Sequence, residues 1–200
     1  MILPRSQLGS LNPALGLAYS PLMPYLEIGN GKDSVHATFS CPSDPSRGSH
    51  PDYRGGKSSP RLRSYSVNNW VNGTAWDNGN PRWNHFRHRS QMVRPSPSNL
   101  LVFLGERADS INDTQFFISM RGYEPGKPAS VDTRIIDYPA CYHDSSGSVS
   151  FADGHVEKKQ WEDPRTIPAY NHDTLLNLNV PSPGNPDVAW LQAHASAKEY

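Results

Sequence analysis

The stretch Tyr142–Val156, YHDSSGSVSFADGHV, decides the expected fold of this chain. Small polar and apolar side chains alternate over 148–152, which is the pattern of a half-buried strand. Asp153 and Gly154 predict a type I′ hairpin turn, because both central positions of that turn need a positive φ. The stretch therefore predicts a tight antiparallel β-meander with His143 at its entry.

Further strand patterns lie between connections that are rich in turn-forming residues, in a chain with 15 glycines and 19 prolines. A continuous apolar run at 99–106 predicts a central strand that is buried on both faces. Weaker strand patterns occupy 35–39, 64–71, 115–120 and 134–138.

The chain is expected to form one domain over residues 1–200. It divides into a helical or extended segment 1–34, a sheet region 35–160 and a C-terminal extension 161–200. A long loop, 72–98, interrupts the sheet region. Near the C-terminus, Asn185 as N-cap and Pro186 in the first turn predict a short helix.

Overall charge argues against nucleic acid as a partner, since the formal net charge is +0 at pH 7. The sequence contains no apolar run long enough to cross a bilayer and no signal-peptide pattern. Two cysteines, Cys41 and Cys141, lack zinc-site spacing. They fit either one long-range disulfide of an exported protein or two buried thiols.

His143 has a catalytic and a structural interpretation. In the catalytic one it serves a hydrolase together with Asp153 or Glu106. In the structural one, which we favour, its ring pins the meander by a hydrogen bond to the Asp153-Gly154 turn or to a neighbouring loop.

Two binding sites are also suggested by residue type. Asp109, Asn112 and Asp113 form a candidate calcium site, because Ca²⁺ prefers oxygen ligands from polar loops. Their spacing does not match an EF-hand, and turn formation explains the same residues. Three tryptophans of the long loop and its border are candidate platforms for a glycan or another envelope polymer: Trp70, Trp76 and Trp83.

Several short motifs occur in a fixed order over roughly residues 20–160. They are LMPYL at 22–26, CPSDP at 41–45, SYSVN at 64–68, VFLGE at 102–106, and His143 followed after nine residues by DGHV at 153–156. Together these motifs resemble the prepilin-type, pseudopilin-like proteins that carry the H-X9-DG signature. The basic leader and the long apolar helix with which such proteins begin are not found in this sequence.

The resemblance implies an α+β fold: a pilin-like head with an antiparallel β-sheet, short N-terminal and C-terminal helices, and long loops. It implies an exported, non-enzymatic subunit of a type II secretion or type IV pilus-like filament. Its partners would be other pilin or pseudopilin subunits, with membrane contact only through an N-terminal helix. No cofactor is implied with certainty, although some relatives hold calcium. The motif residues expected to serve structure are His143, Asp153, Gly154, Cys41, Asp44 and Glu106.

Overall fold

The computed structural model describes residues 38–48, 59–61, 63–72, 83–171 and 175–198. The expected N-terminal segment 1–34 and Trp76 lie outside these ranges. Contacts divide the chain into two compact units. The smaller unit comprises Met1–Tyr65 with Asn112–Thr114, and the larger comprises Ser66–Ile111 with Gln115–Tyr200.

The described elements are mostly short strands, with one complete α-helix among them. They are β1 (Arg47–Gly48), β2 (Ser59–Pro60), β3 (Tyr65–Asn68), a 3₁₀ helix (Arg89–Gln91), β4 (Leu101–Gly105), β5 (Gln115–Phe116), β6 (Arg134–Ile135), β7 (Ser146–Phe151), β8 (Val156–Gln160), β9 (Val180–Pro181) and α1 (Pro186–Ala195).

A mixed sheet of five strands in the order β5-β3-β4-β7-β8 forms the centre of the fold. The pairs β4–β7 and β7–β8 are antiparallel, as predicted. The pair β3–β5 is parallel, with Val67 opposite Gln115, so the expectation of a purely antiparallel sheet is wrong. With one helix beside a mixed sheet, the described fold is broadly α+β.

The β7–β8 hairpin confirms the strand-turn-strand prediction but not the predicted turn type. Gly154 has a φ of 99°, whereas Asp153 is not among the residues with a positive φ. The N–H of Gly154 donates to Phe151 O over 3.0 Å, and the N–H of Phe151 donates to His155 O over 3.0 Å. This is a three-residue loop with glycine in the left-handed position, not a type I′ turn.

The predicted central strand is confirmed as β4, but its burial on both faces is not. Leu101 and Leu104 are buried, whereas Phe103 is 42% exposed. The register with β7 shifts between Leu101 and Phe103, and this irregularity turns both leucines toward the core. One face of the strand therefore faces the core and the other reaches solvent at Phe103.

Helix α1 begins where the sequence predicted it. The Asn185 side chain accepts hydrogen bonds from the N–H groups of Asp187 and Val188, which would otherwise lack partners in the first turn. The helix buries Leu191 and Ala195 in the main core. That core consists of Trp70, Trp83, Leu101, Leu104, Phe116, Ile118, Met120, Val149, Phe151, Trp161, Leu191 and Ala195.

Three of the weaker strand predictions are shorter or different in the structure. Thr38 and Phe39 are helical, so the strand expected at 35–39 is wrong at the residues described. The strands expected at 115–120 and 134–138 cover only β5 and β6. Alternation in a short segment does not reveal where its pairing partner ends.

Candidate functional site

The two halves of the H-X9-DG signature lie at opposite ends of β7. His143 precedes the strand, with its N–H donating to Ser146 O over 3.3 Å, and Asp153 follows it. A strand of six residues separates them, or about 20 Å at about 3.3 Å per residue. That separation is incompatible with an active site shared by His143 and Asp153, and with a ring hydrogen bond from His143 to the Asp153-Gly154 turn. The other structural alternative, a ring hydrogen bond from His143 to a neighbouring loop, stays a prediction.

The Asp153-Gly154 end of the hairpin carries a compact charged cluster. His155 Nδ1 lies 2.6 Å from Asp153 Oδ1, and His155 Nε2 lies 3.3 Å from Glu157 Oε1. The hydrogen bond to the His155 ring lowers the pKa of Asp153, and the same bond raises the pKa of His155, with a further contribution from Glu157. Both carboxylates therefore favour the charged form of the imidazole.

A row of aromatic rings connects this cluster to α1. The His155 ring stacks on Phe151, and His194 meets Phe151 edge-on at 5.9 Å between centroids. His194 in turn stacks on Trp190 at 4.1 Å and donates from Nδ1 to Trp190 O. Burial lowers the pKa of His194, whereas the hydrogen bond to Asp153 raises the pKa of His155. The pKa values of the two histidines beside Phe151 are therefore shifted in opposite directions.

Glu106 is inaccessible at the end of β4. Its side chain is 0% exposed, and its Oε1 accepts a hydrogen bond from Ser110 Oγ over 3.0 Å. Ser110 Oγ also accepts from the N–H of Tyr138 over 2.8 Å. A carboxylate so enclosed cannot meet a substrate, and the proposed hydrolase pairing of His143 with Glu106 is wrong for that reason.

Arg107 and Asp109 form a buried ion pair that sequence reasoning missed. Nε and Nη2 of Arg107 lie 2.8 and 2.7 Å from the two carboxylate oxygens, and the side chains are 1% and 0% exposed. The guanidinium also donates to the carbonyls of Pro168 and Ala169, and Asp109 accepts from the N–H of Asn171. The pair therefore ties segment 168–171 to the end of β4.

This geometry also bears on the predicted calcium site. Both carboxylate oxygens of Asp109 are bound by Arg107, whose positive charge would repel a cation, so Asp109 is wrong as a ligand. Arg63 donates to the backbone carbonyl of Asp113. No group of three His, Cys, Asp or Glu side chains within the described ranges could hold a metal ion. Calcium binding at Asn112 and Asp113 stays a prediction.

In the smaller unit, the CPSD motif closes a loop onto the residue that precedes β3. Ser64 Oγ donates to Asp44 Oδ2 over 2.7 Å and accepts from the N–H of Cys41 over 3.1 Å. Asp44 Oδ1 accepts from the N–H of Ser46 over 2.9 Å. Asp44 thus serves the loop's own backbone. Cys41 and Cys141 are both thiols in this structure, and their pairing in oxidised protein stays a prediction.

The candidate glycan platforms are not surface residues where they are described. Trp70 and Trp83 are 1% and 2% exposed, and Trp70 Nε1 donates to Ile118 O over 2.8 Å. Neither ring offers a face on which a sugar could stack, so this interpretation is wrong for both tryptophans. Trp76 lies outside the described residues.

Asn68, the last residue of the SYSVN motif, is a second buried contact that residue type alone did not reveal. Its Nδ2 donates to Leu101 O over 2.9 Å and to Ala195 O over 3.0 Å, and its Oδ1 accepts from the N–H of Trp70. One side chain thereby joins β3, β4 and the end of α1. Residues 64, 66 and 68 of this motif are all polar, so residue type gave no signal that Asn68 would be buried.

Comparisons do not assign the chain to a family. No protein-family model, no curated protein and no solved structure matches it. Among the described helices, none has the length and apolar character needed to cross a membrane.

Proposed function

We propose that this chain is the non-enzymatic globular head of a pseudopilin-like filament subunit that works outside the cytoplasm and assembles with other subunits of its kind. The observation that carries the proposal is the role of the motif residues. The side chains of Asp44 and Asn68 make hydrogen bonds to backbone groups, and so hold segments of the chain in place.

Each motif contributes a different backbone connection. Asp44 and Ser64 close the CPSD loop onto the start of β3. Asn68 joins β3 to β4 and α1, and Gly154 supplies the left-handed turn of the β7–β8 hairpin. Motif residues that hold the backbone in shape support a structural subunit, because catalytic residues must reach a substrate.

The candidate catalytic residues support the same proposal. Glu106 is fully buried, and His143 and Asp153 are separated by the length of β7. The described cluster of Asp153, His155 and Glu157 has carboxylates and an imidazole but no Ser or Cys nucleophile bonded to the histidine.

Immunogold electron microscopy on native cells, with antibody raised against this chain, tests the proposal. We expect gold along surface or periplasmic fibres, and recovery of the chain in the sheared fibre fraction. Pre-absorption of the antibody with the purified chain is the control. Recovery of the chain only as a freely diffusing protein, without label on any fibre, would contradict the proposal.

A further inference from the structure

Strand β8 forms one edge of the five-stranded sheet. It pairs with β7 on one side, and no described strand pairs with its other side. Its five residues are mostly exposed, and Val156 is 66% exposed. An edge strand presents backbone N–H and C=O groups that can pair with another chain. β8 therefore has the geometry of a site for strand addition.

The hydrogen-bond alternation shows which groups of β8 point outward. The N–H of Phe151 donates to His155 O, and the N–H of Trp161 donates to Ser145 O, at the two ends of the ladder. In an antiparallel pair, bonded and non-bonded positions alternate. The N–H and C=O of Val156 and Lys158 therefore face away from β7.

The side chains at the same two positions determine which strand would fit. Phe103 is opposite Ser150, and Ser150 is opposite Val156, so these three form a row on one sheet face. Lys158 lies opposite Ser148 on that face. An added strand would thus place one side chain beside an exposed valine and, two residues away, another beside a lysine.

A second copy of this chain is a poor match for that edge. Symmetric antiparallel pairing that uses all three outward positions, Val156, Lys158 and Gln160, centres on Lys158 and sets it directly opposite its own counterpart. The register centred on Glu157 sets two glutamates opposite each other instead. Like charges directly opposite each other destabilise a sheet. Lysine on an edge strand is also a common device against self-association.

We propose that β8 binds an extended segment of a partner protein by antiparallel strand addition, with an acidic side chain opposite Lys158 and an apolar one opposite Val156. Backbone hydrogen bonds supply affinity, and the alternate side chains supply selectivity. The inference is independent of the proposed filament role, because it needs only the β7–β8 edge.

The test titrates ¹⁵N-labelled protein with two capped peptides, Ac-TTETVTT-NH2 and Ac-TTKTVTT-NH2. The acidic peptide should shift the amide signals of Val156 and Lys158 in a saturable manner. It should bind about three- to ten-fold more tightly than the basic peptide, since opposite-charge and like-charge cross-strand pairs differ in sign.

Two variants distinguish strand addition from a general charge effect. Lys158→Glu should invert the preference between the peptides. Lys158→Pro should abolish binding while keeping the fold, because the lost N–H faces away from β7. Lys127→Glu, which makes the same charge change in an exposed turn, should leave the preference unchanged.

Three results would overturn the proposal. One is the absence of saturable shifts in β8 with either peptide at millimolar concentration. Another is an unchanged preference in folded Lys158→Glu, as judged by its near-ultraviolet circular dichroism. The third is a dependence of the β8 signals on protein concentration without peptide, which would mean that a second copy occupies the edge.

Discussion

The His155 imidazole lies parallel to the Phe151 ring, with centroids 4.3 Å apart and an interplanar angle of 3°. The stacking partner is a core residue of β7, whereas the imidazole edge faces the carboxylates of Asp153 and Glu157. The Phe151 ring therefore anchors the hairpin tip to the core, whereas the His155 ring makes the tip sensitive to the pH of the solvent.

His155 should titrate above its ordinary pKa. Asp153→Asn should lower the pKa of His155, because the acceptor of the shorter of the two ring hydrogen bonds is then no longer charged. Glu157→Gln, which affects the 3.3 Å contact, is the matched control with a smaller decrease. Histidine proton shifts followed by NMR against pH measure both. An unchanged His155 pKa in folded Asp153→Asn would contradict this contact.

The same pair predicts the pH window of the hairpin's stability. Stabilisation by the raised pKa of His155 is full below about pH 6.5 and is lost as pH rises through the folded value. The lowered pKa of Asp153 contributes above about pH 3.9, and that contribution is lost as pH falls through its folded value. The protection of the tip amides, measured as exchange relative to the intrinsic rate at each pH, should accordingly be greatest between these limits.

His194 should have the opposite pH dependence. Burial lowers its pKa, so the unfolded chain takes up the proton first and stability falls as the pH drops below about 6.5. Glu157 and Lys159 act on the same ring with opposite signs. The cost of His194→Asn in urea unfolding should therefore be smaller near about pH 5.5 than near about pH 7.5. An equal cost at both values would exclude the proposed linkage.

Breaking the buried Arg107–Asp109 ion pair should lower the free energy of unfolding far more than breaking a surface ion pair. Arg107→Met leaves Asp109 charged and buried without its partner, which costs about 3–5 kcal/mol of unfolding free energy. The double variant Arg107→Met/Asp109→Leu should recover much of this loss. Arg165→Ala, at a pair whose arginine is 45% exposed, is the control and should cost at most about 1 kcal/mol. Equal losses in the single and double variants would contradict the assignment.

Alanine substitutions at three glycines should distinguish the cost of backbone strain from the cost of steric overlap. Gly126 and Gly154 have φ values of 75° and 99° with open space around an added Cβ, so alanine at either should cost about 1–2 kcal/mol. A Cβ on Gly147 would meet Ala140 O at 2.6 Å and Trp161 Nε1 at 3.2 Å. Gly147→Ala should be the most destabilising of the three in thermal unfolding, and a smaller loss than in Gly154→Ala would refute the close packing.

The thiols give a test of the two interpretations of the cysteines. Both Cys41 and Cys141 are thiols here, and burial raises the pKa of Cys141. We expect slow reaction with a thiol reagent in native protein and two titratable groups after denaturation. Denatured protein that was purified without reductant and yields none would establish the disulfide instead.

Local signals in the sequence predicted the elements that depend on few neighbours. Apolar residues in a continuous run produced β4, a glycine at the required turn position produced the hairpin, and Asn185 produced the start of α1. In each case the determining interaction lies within a few residues of the chain.

Interactions between distant segments were not predicted. In the sequence, Arg107 has the pattern of a solvated loop residue. In the structure, hydrogen bonds with Pro168, Ala169 and Asn171 enclose the Arg107–Asp109 ion pair. Trp70 and Trp83 stand in a polar stretch, yet both belong to the core. The parallel pairing of β3 with β5 likewise depends on a partner about fifty residues away, which no local pattern specifies.

The length of β7 gives the H-X9-DG interval a meaning in terms of parity. Val149 and Phe151 point into the core, while Ser148 and Ser150 lie on the other face. Removing or adding one residue between His143 and Asp153 would exchange these faces. A related chain can therefore lengthen this strand by two residues, but a change of one requires a bulge. The nine-residue interval between His143 and Asp153 therefore determines on which face of the sheet each residue of β7 lies.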